Sequence, residues 1–222
     1  MALSVATYSG SQLQDTFEKY NNEPCSAKIT GGQFALMVSN ALTNNKIKVA
    51  RTKGIMTDAY SSRAKMVVIS DASCDTASVA ALTIVSHEFG HALQDLNNSK
   101  KFKRNILLMK ITKHLGFLMM PLAIVGIFIM LVFSELFYVG LLLLILSGII
   151  FLLALLLKFL SIPLERDASQ RGLKILQDLE IMNEDELKMA NELLRSALLT
   201  YVGDFLRAIL WWTFLTRRSK LF

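Results

Sequence analysis

Ser86-His87-Glu88-Phe89-Gly90-His91 lies inside the largely apolar run Ala80 to Leu96. At about 100° per residue, histidines four positions apart stand on one face of a helix, one turn from each other, where a single cation can bind both imidazoles. Glu88 then projects beside that cation. Leu82, Val85, Phe89, Leu93 and Leu96 fall on the opposite side, so the expected helix has a buried back and a polar front. Neutral imidazoles suit Zn2+, and a catalytic zinc site takes three protein ligands and keeps a fourth position for water. In such an H-E-x-x-H pattern the glutamate is placed to take a proton from that water and later hand it to a leaving amine.

Outward from this motif, composition points to a membrane protein. Of the 222 residues, 53% are hydrophobic, and the excess is concentrated between Leu115 and Leu160. Leu115 to Phe133 is long enough to cross a bilayer, Ser134-Glu135 interrupts, and Leu136 to Leu157 is long enough to cross back, which predicts a transmembrane helical hairpin. Lys100, Lys101, Lys103, Arg104, Lys110 and Lys113 precede it without an acid among them, and Lys158, Arg166, Arg171 and Lys174 follow it. Both hairpin ends are therefore expected to face the cytosol. The net charge of +6 is explained by these flanks, and no basic-aromatic interleaving elsewhere suggests nucleic acid as a partner. Met1 to Gly10 lacks a basic leader with an apolar core and cleavage site, so no signal peptide is expected, and Cys25 and Cys74 read as reduced thiols.

The remaining elements follow from periodicity and punctuation. Ser11 to Tyr20 is weakly helical and ends at Asn21-Asn22-Glu23-Pro24; Thr30 and Gln33 form a capping box ahead of a second helix. Ile47 to Ala50 and Met66 to Ser70 read as strands among two or three in all, with a turn at Ser70 to Ser73 before a zinc helix from about Thr76 to Leu96. Pro163 to Ile181 is a further helix, and Asn183 with Glu186 caps another from Glu184 to Leu199. The last apolar run, Ala197 to Leu215, contains Asp204 and Arg207 at a spacing that permits pairing, then Trp211 and Trp212, with Arg217, Arg218 and Lys220 beyond. The pattern leaves open whether this run spans, re-enters or lies at the membrane surface.

A third metal ligand must come from outside the motif. A histidine six residues after His91 would extend it, but Asn97 stands there. His114 lies in the basic strip, and Glu135 sits at the hairpin tip, a bilayer's thickness away. Glu165 and Asp167 remain. On a helical wheel, Leu164, Ala168, Gly172, Ile175, Leu176 and Leu179 form one apolar arc that includes Glu165, whereas Asp167 lies on its flank. A carboxylate on a burying face is costly unless it is paired or binds a cation, so Glu165 is the expected ligand, with Asp167 as the alternative or as an outer partner.

These residues carry a resemblance. Gly54-Ile55-Met56-Thr57-Asp58-Ala59-Tyr60, the strand Met66 to Ser70, the stretch Val85 to Gln94, Pro163 to Arg171 and Ala197 to Val202 together resemble the YugP-type neutral zinc metallopeptidases, integral-membrane proteins of bacteria. The acidic segment is distantly similar to that of HtpX and CAAX-prenyl-type membrane proteases, whose glutamate ligand opens an E-x-x-x-D sequence; here Ser169 stands at the fifth position. Members commonly begin with a transmembrane segment, which is not visible here. The resemblance implies a bacterial membrane-bound, gluzincin-like zinc protease with His87 and His91 as ligands, Glu88 as the catalytic group and the third ligand between Glu165 and Asp167.

The expected protein is thus a mainly α integral membrane protein with a small α+β zincin-like region. Residues 1–105 form a cytosolic region carrying the zinc helix, 106–160 the hairpin, and 161–222 the closing helices. It would hold one catalytic Zn2+, act on a peptide or membrane-protein substrate, and use Glu88 as general base; a zinc-binding membrane scaffold without turnover is the alternative. Two further expectations concern substrate: Met66 to Ser70 as an edge strand that pairs with an extended peptide, and Tyr201 as a donor to the oxyanion.

Overall fold

A computed structural model of the chain describes residues 2–97 and 100–218, with side chains at 12–97, 100, 102–108, 110–112, 114–157, 159–200 and 203. In chain order the elements are α1 (Ala2–Asn21), α2 (Gly31–Thr43), β1 (Lys48–Thr52), β2 (Ala59–Ser61), β3 (Met66–Ser70), α3 (Asp71–Asp75), α4 (Val79–Leu96), α5 (Lys100–Val132), a 3-10 turn (Ser134–Leu136), α6 (Phe137–Phe159), α7 (Ile162–Asp178) and α8 (Glu184–Arg218). They form two compact units, one of Met1–Phe102 with Pro163–Phe222 and one of Lys103–Ile162. The segments before and after the apolar hairpin therefore belong to the same unit.

Side chains start the helices where the sequence implies. Thr30 Oγ1 accepts from the Gln33 amide while Gln33 Oε1 accepts from the Thr30 amide, at 3.3 and 2.9 Å. Asn183 Oδ1 and Glu186 Oε2 make the same reciprocal pair at 2.9 and 2.8 Å. The helix that carries the H-E-x-x-H motif begins later than expected. Ser78 Oγ accepts from the Ala81 amide at 3.1 Å and opens α4 at Val79, while Ser70 caps a separate short helix where the sequence suggested a turn. At the far end, the expected helix from Glu184 and the apolar run beginning at Ala197 are one continuous helix, α8.

The sheet has the order β1-β3-β2, with β1 parallel to β3 from Lys48↔Met66 to Thr52↔Ser70 and β2 antiparallel to it. β3 is central. Both of its hydrogen-bonding edges are occupied, so Met66 to Ser70 is not the free edge expected to pair with a substrate. The reason is Ala59–Ser61, too short and too weakly patterned to be read as a strand, which takes that edge. Val67 and Ile69 alternate into the core at 0% and 1% exposure, as a half-buried strand requires.

α4 is buried on more than its apolar back. Ala80, Ala81, Leu82, Thr83, Val85, Ser86, Phe89, Gly90, Ala92 and Gln94 are all buried. Phe17 and Tyr20 of α1, Phe34 and Val38 of α2, Val67 and Ile69 of β3, Ile175 and Leu176 of α7 and Leu193 of α8 share its core. Polar ties fasten the surrounding elements. Ser26 donates through both its amide and Oγ to Glu186 at 2.6 Å, and the Tyr20 hydroxyl donates to Glu192 at 2.6 Å, binding α8 to the loop after α1 and to α1 itself.

The second unit is an antiparallel pair made by α5 and α6, both contributing stretches long and apolar enough to cross a membrane. The basic strip expected before the hairpin is the first part of α5. A Cβ on Gly126 would come within 2.8 Å of the Gly140 carbonyl oxygen, and Ser147 Oγ donates to the Met119 carbonyl at 2.9 Å, so the two helices touch through small residues. Large apolar side chains cover the outside, with Phe117 80% and Leu131 81% exposed.

The last turn of α4 is held by Asp95, whose Oδ2 accepts from Tyr60, Ser62 and Lys65 at 2.7, 2.6 and 2.6 Å. Burial pushes this carboxyl up, but the three donors outweigh it and hold it below the usual aspartate value. A depressed folded-state pKa contributes stability that is present above the unfolded value and lost as pH falls through the folded one. Asp95→Asn is therefore expected to lower the unfolding temperature by several degrees at pH 7, with the gap to wild type closing below about pH 4. Thermal unfolding of both proteins across that pH range checks this.

Candidate metal centre

The site depends on how closely two helices approach. A Cβ on Gly90 of α4 would fall 2.3 Å from the Ala168 carbonyl oxygen of α7, and one on Gly172 of α7 would fall 3.0 Å from the backbone at Ser86 and His87. Only glycine permits backbone contact at Gly90. Glu165 lies three residues before Ala168, on the same face of α7, and is carried onto the histidines. His87 Nε2 and His91 Nε2 lie 3.5 and 3.4 Å from a single atom, Glu165 Oε2. The imidazole centroids are 4.8 Å apart, with the rings nearly perpendicular at 83°.

Among the described residues, His87, His91 and Glu165 are the one group of three whose donor atoms, all within 4.8 Å of one another, could hold a metal ion. A tetrahedral zinc with bonds of about 2.0–2.1 Å places its donors about 3.3 Å apart. The two imidazole-to-carboxylate separations match that spacing. The donor chemistry fits as well, since two nitrogen lone pairs and a carboxylate oxygen converge and only a positive charge, a proton or a cation, reconciles them.

Partners behind the donors fix their orientation. Gln94 is fully buried, and its Nε2 donates to the Leu164 carbonyl at 3.0 Å and to Asp167 Oδ2 at 2.7 Å. Its Oε1 is therefore the acceptor for His91 Nδ1–H at 3.1 Å, which leaves the His91 Nε2 lone pair facing Glu165. Ser169 Oγ stands 3.3 Å from His87 Nδ1, within hydrogen-bond distance of the second imidazole. Asp167, the alternative carboxylate, accepts from Gln94 and from Arg171 Nε, the latter at 2.8 Å, and is not among the three gathered donors. Phe102 lies 6.4 Å from His91, ring centre to ring centre.

Sequence reasoning missed Gln94 and the contact of Ser169. The available signal was spacing: Gln94 is three residues after His91 and Ser169 four after Glu165, each on the face of its ligand. The side chain of Tyr201, the expected oxyanion donor, lies outside the described residues.

Electrostatics within the site are divided between its carboxylates. Burial pushes Glu165 up, but hydrogen bonds and charge from His87 and His91 outweigh it and hold the carboxyl down at about 2. Burial alone would lower the His91 imidazole, yet Glu165 raises it above the usual value. Glu88 is displaced the other way. Burial raises its carboxyl against the pull of the two histidines, and the charges of Glu165 and Asp58 push in the same direction as burial. Glu88 also opens onto a cavity of about 310 Å3, whose wall includes His87, Asp58, Leu13, Ile84 and Leu193.

A helix presenting His-Glu-x-x-His, with a carboxylate from a later helix completing the donor set, is the arrangement of zinc metallopeptidases. The comparisons agree with that class. The chain belongs to the family described as "Putative neutral zinc metallopeptidase", whose sequence profile matches residues 1–217. It is 26% identical over 215 residues to the "Putative membrane protease YugP" of Bacillus subtilis (strain 168), covering 91% of this chain and 86% of the Bacillus protein. No solved structure matches it.

If the Gly90 contact sets the donor spacing, a single methyl there must spoil it. Gly90→Ala is expected to weaken zinc binding by at least about tenfold, because metal sites tolerate donor displacements of only about 0.2 Å. Isothermal titration of the metal-free variant with Zn2+ reads this directly; unchanged affinity would mean that α7 is not held at this distance.

Proposed function

We propose that this protein is a membrane-embedded zinc endopeptidase that hydrolyses peptide bonds of membrane-associated or unfolded proteins on the cytosolic side. The observation that carries the reading is the convergence of His87, His91 and Glu165 beside Glu88, with both imidazole nitrogens at tetrahedral donor spacing from one carboxylate oxygen. His87, His91 and Glu165 would hold one zinc ion, which when bound supplies the charge that acidifies a water and polarises a substrate carbonyl. Glu88 takes the proton from the attacking water and returns it to the departing amine. Its raised carboxyl pKa suits the first half of that task, because it makes the carboxylate a stronger base towards the water. Gln94 keeps His91 in the tautomer that presents Nε2, and Ser169 holds the His87 ring from its Nδ1 side.

The membrane assignment rests on the second unit. Helices with an apolar exterior such as that around Phe117 and Leu131 are stable where the solvent is hydrocarbon, and their backbone polar groups are satisfied internally. Lys100, Lys103, Arg104 and Lys110 precede the apolar stretch, and Arg166, Arg171 and Lys174 follow it, which favours both ends in the cytosol. The Bacillus relative, itself described as a "Putative membrane protease", supports placement in a membrane.

The test is a pair of variants in the purified, zinc-loaded protein. Glu88→Gln is expected to keep one zinc per chain and to lose peptide hydrolysis by about 10²–10⁴-fold, whereas Glu165→Ala is expected to lose zinc itself. Metal analysis beside cleavage of quenched fluorescent peptides separates the two. Zinc-loaded wild type that cleaves no peptide, or Glu88→Gln that cleaves as well as wild type, would refute the proposal.

A further inference from the structure

We propose that the cavity beside Glu88 is the pocket that receives a large apolar side chain of the substrate next to the bond being cut, and that Ala197 sets its size. The proposal rests on the peptidase reading above and adds the substrate class. Six apolar side chains, Leu13, Met56, Ile84, Leu193, Leu194 and Ala197, line the space, which reaches the chemistry through His87 and Glu88. Its volume of about 310 Å3 is at the small end for ligand sites, which run from about 300 to 1,000 Å3. That is room for one side chain rather than a folded segment.

Two polar groups in the wall could argue for a different occupant. Asp58 carries a charge, but Oδ1 accepts from the Ser70 amide at 2.9 Å, and Oδ2 accepts from Ser70 Oγ at 2.8 Å and Ser73 Oγ at 3.1 Å. Its oxygens are engaged in tying the β1–β2 connection to the start of α3, which makes it a part of the wall. Thr200 Oγ1 donates back to the Ala197 carbonyl at 2.7 Å and is likewise satisfied within its own helix. The apolar surface is what remains to be covered, and an aliphatic or aromatic side chain covers it.

The geometry of α8 identifies the size-determining position. Leu193, Ala197 and Thr200 follow one another at i, i+4 and i+7, a single stripe facing the cavity, with Leu194 beside it. Ala197 is the smallest side chain in the wall and is only partly buried, so a larger one there extends into open space and not into the core.

The experiment uses the full-length, zinc-loaded protein in detergent and a library of quenched peptides in which each residue flanking the scissile bond is varied. Wild type is expected to prefer Leu, Met or Phe over Ala at one flanking position by about tenfold or more in kcat/KM. Ala197→Phe should cut that preference ratio at least tenfold with zinc content unchanged, and Leu194→Ala, which enlarges the space, should move it towards Trp. A wild-type preference for Lys or Arg, or no preference, overturns the pocket, as does a ratio moved by neither variant. If zinc-loaded wild type cleaves no peptide at all, the peptidase reading falls and the pocket falls with it; cleavage with the wrong preference removes the pocket alone.

Discussion

Backbone contact between α4 and α7 is the constraint on which the rest depends. Where Gly90 meets the Ala168 carbonyl there is no room for a Cβ, and at Gly172 there is barely room against Ser86 and His87. Helices this close bring side chains a turn away on each into direct contact. Glu165 therefore reaches both imidazoles through one oxygen, Ser169 reaches His87 and Gln94 reaches the α7 backbone at Leu164. None of these contacts would survive an ordinary interaxial distance of about 8–10 Å between helices with larger residues at the crossing.

Placing a zinc-type site within a buried helix creates a polar problem that the fold solves locally. Thr83 and Ser86 are buried, and each returns a hydrogen bond to its own helix, at Val79 and Thr83 respectively. Gln94 has no solvent contact and uses both ends of its amide, one for His91 and one for α7. Every buried polar group in this region thus has a partner, which keeps a low-dielectric site from penalising its own ligands. The same low dielectric strengthens the interactions that hold Glu165 ionised, while Glu88, with burial and two carboxylates against it, is displaced upward. Two glutamates close to the same imidazoles are thereby driven to different proton affinities.

The apolar segment Lys103–Ile162 interrupts the other unit in sequence, and none of its described residues is among the three gathered donors. A helical hairpin is suited to such an insertion, since it satisfies its backbone internally and returns the chain in the direction from which it came. Contact through Gly126, Gly140 and Ser147 holds its helices together by close packing and a hydrogen bond, forces that do not rely on water.

Much of this could be read from local pattern. Histidines at i and i+4, the caps at Thr30 and Asn183, the two apolar spans and the placing of Glu165 on the burying arc of its helix all depend on residues near one another in sequence, and helical periodicity reports such relations directly. What only the tertiary structure decided involves partners far apart. β3 is central because a three-residue strand with no pattern of its own takes its second edge; α4 is enclosed because four other helices and the sheet share its core; Asp167 serves Gln94 while Ser169 serves His87. Periodicity says which way a side chain points along its own helix. The distance to the next backbone, set here by a missing Cβ at Gly90, decides what that side chain reaches.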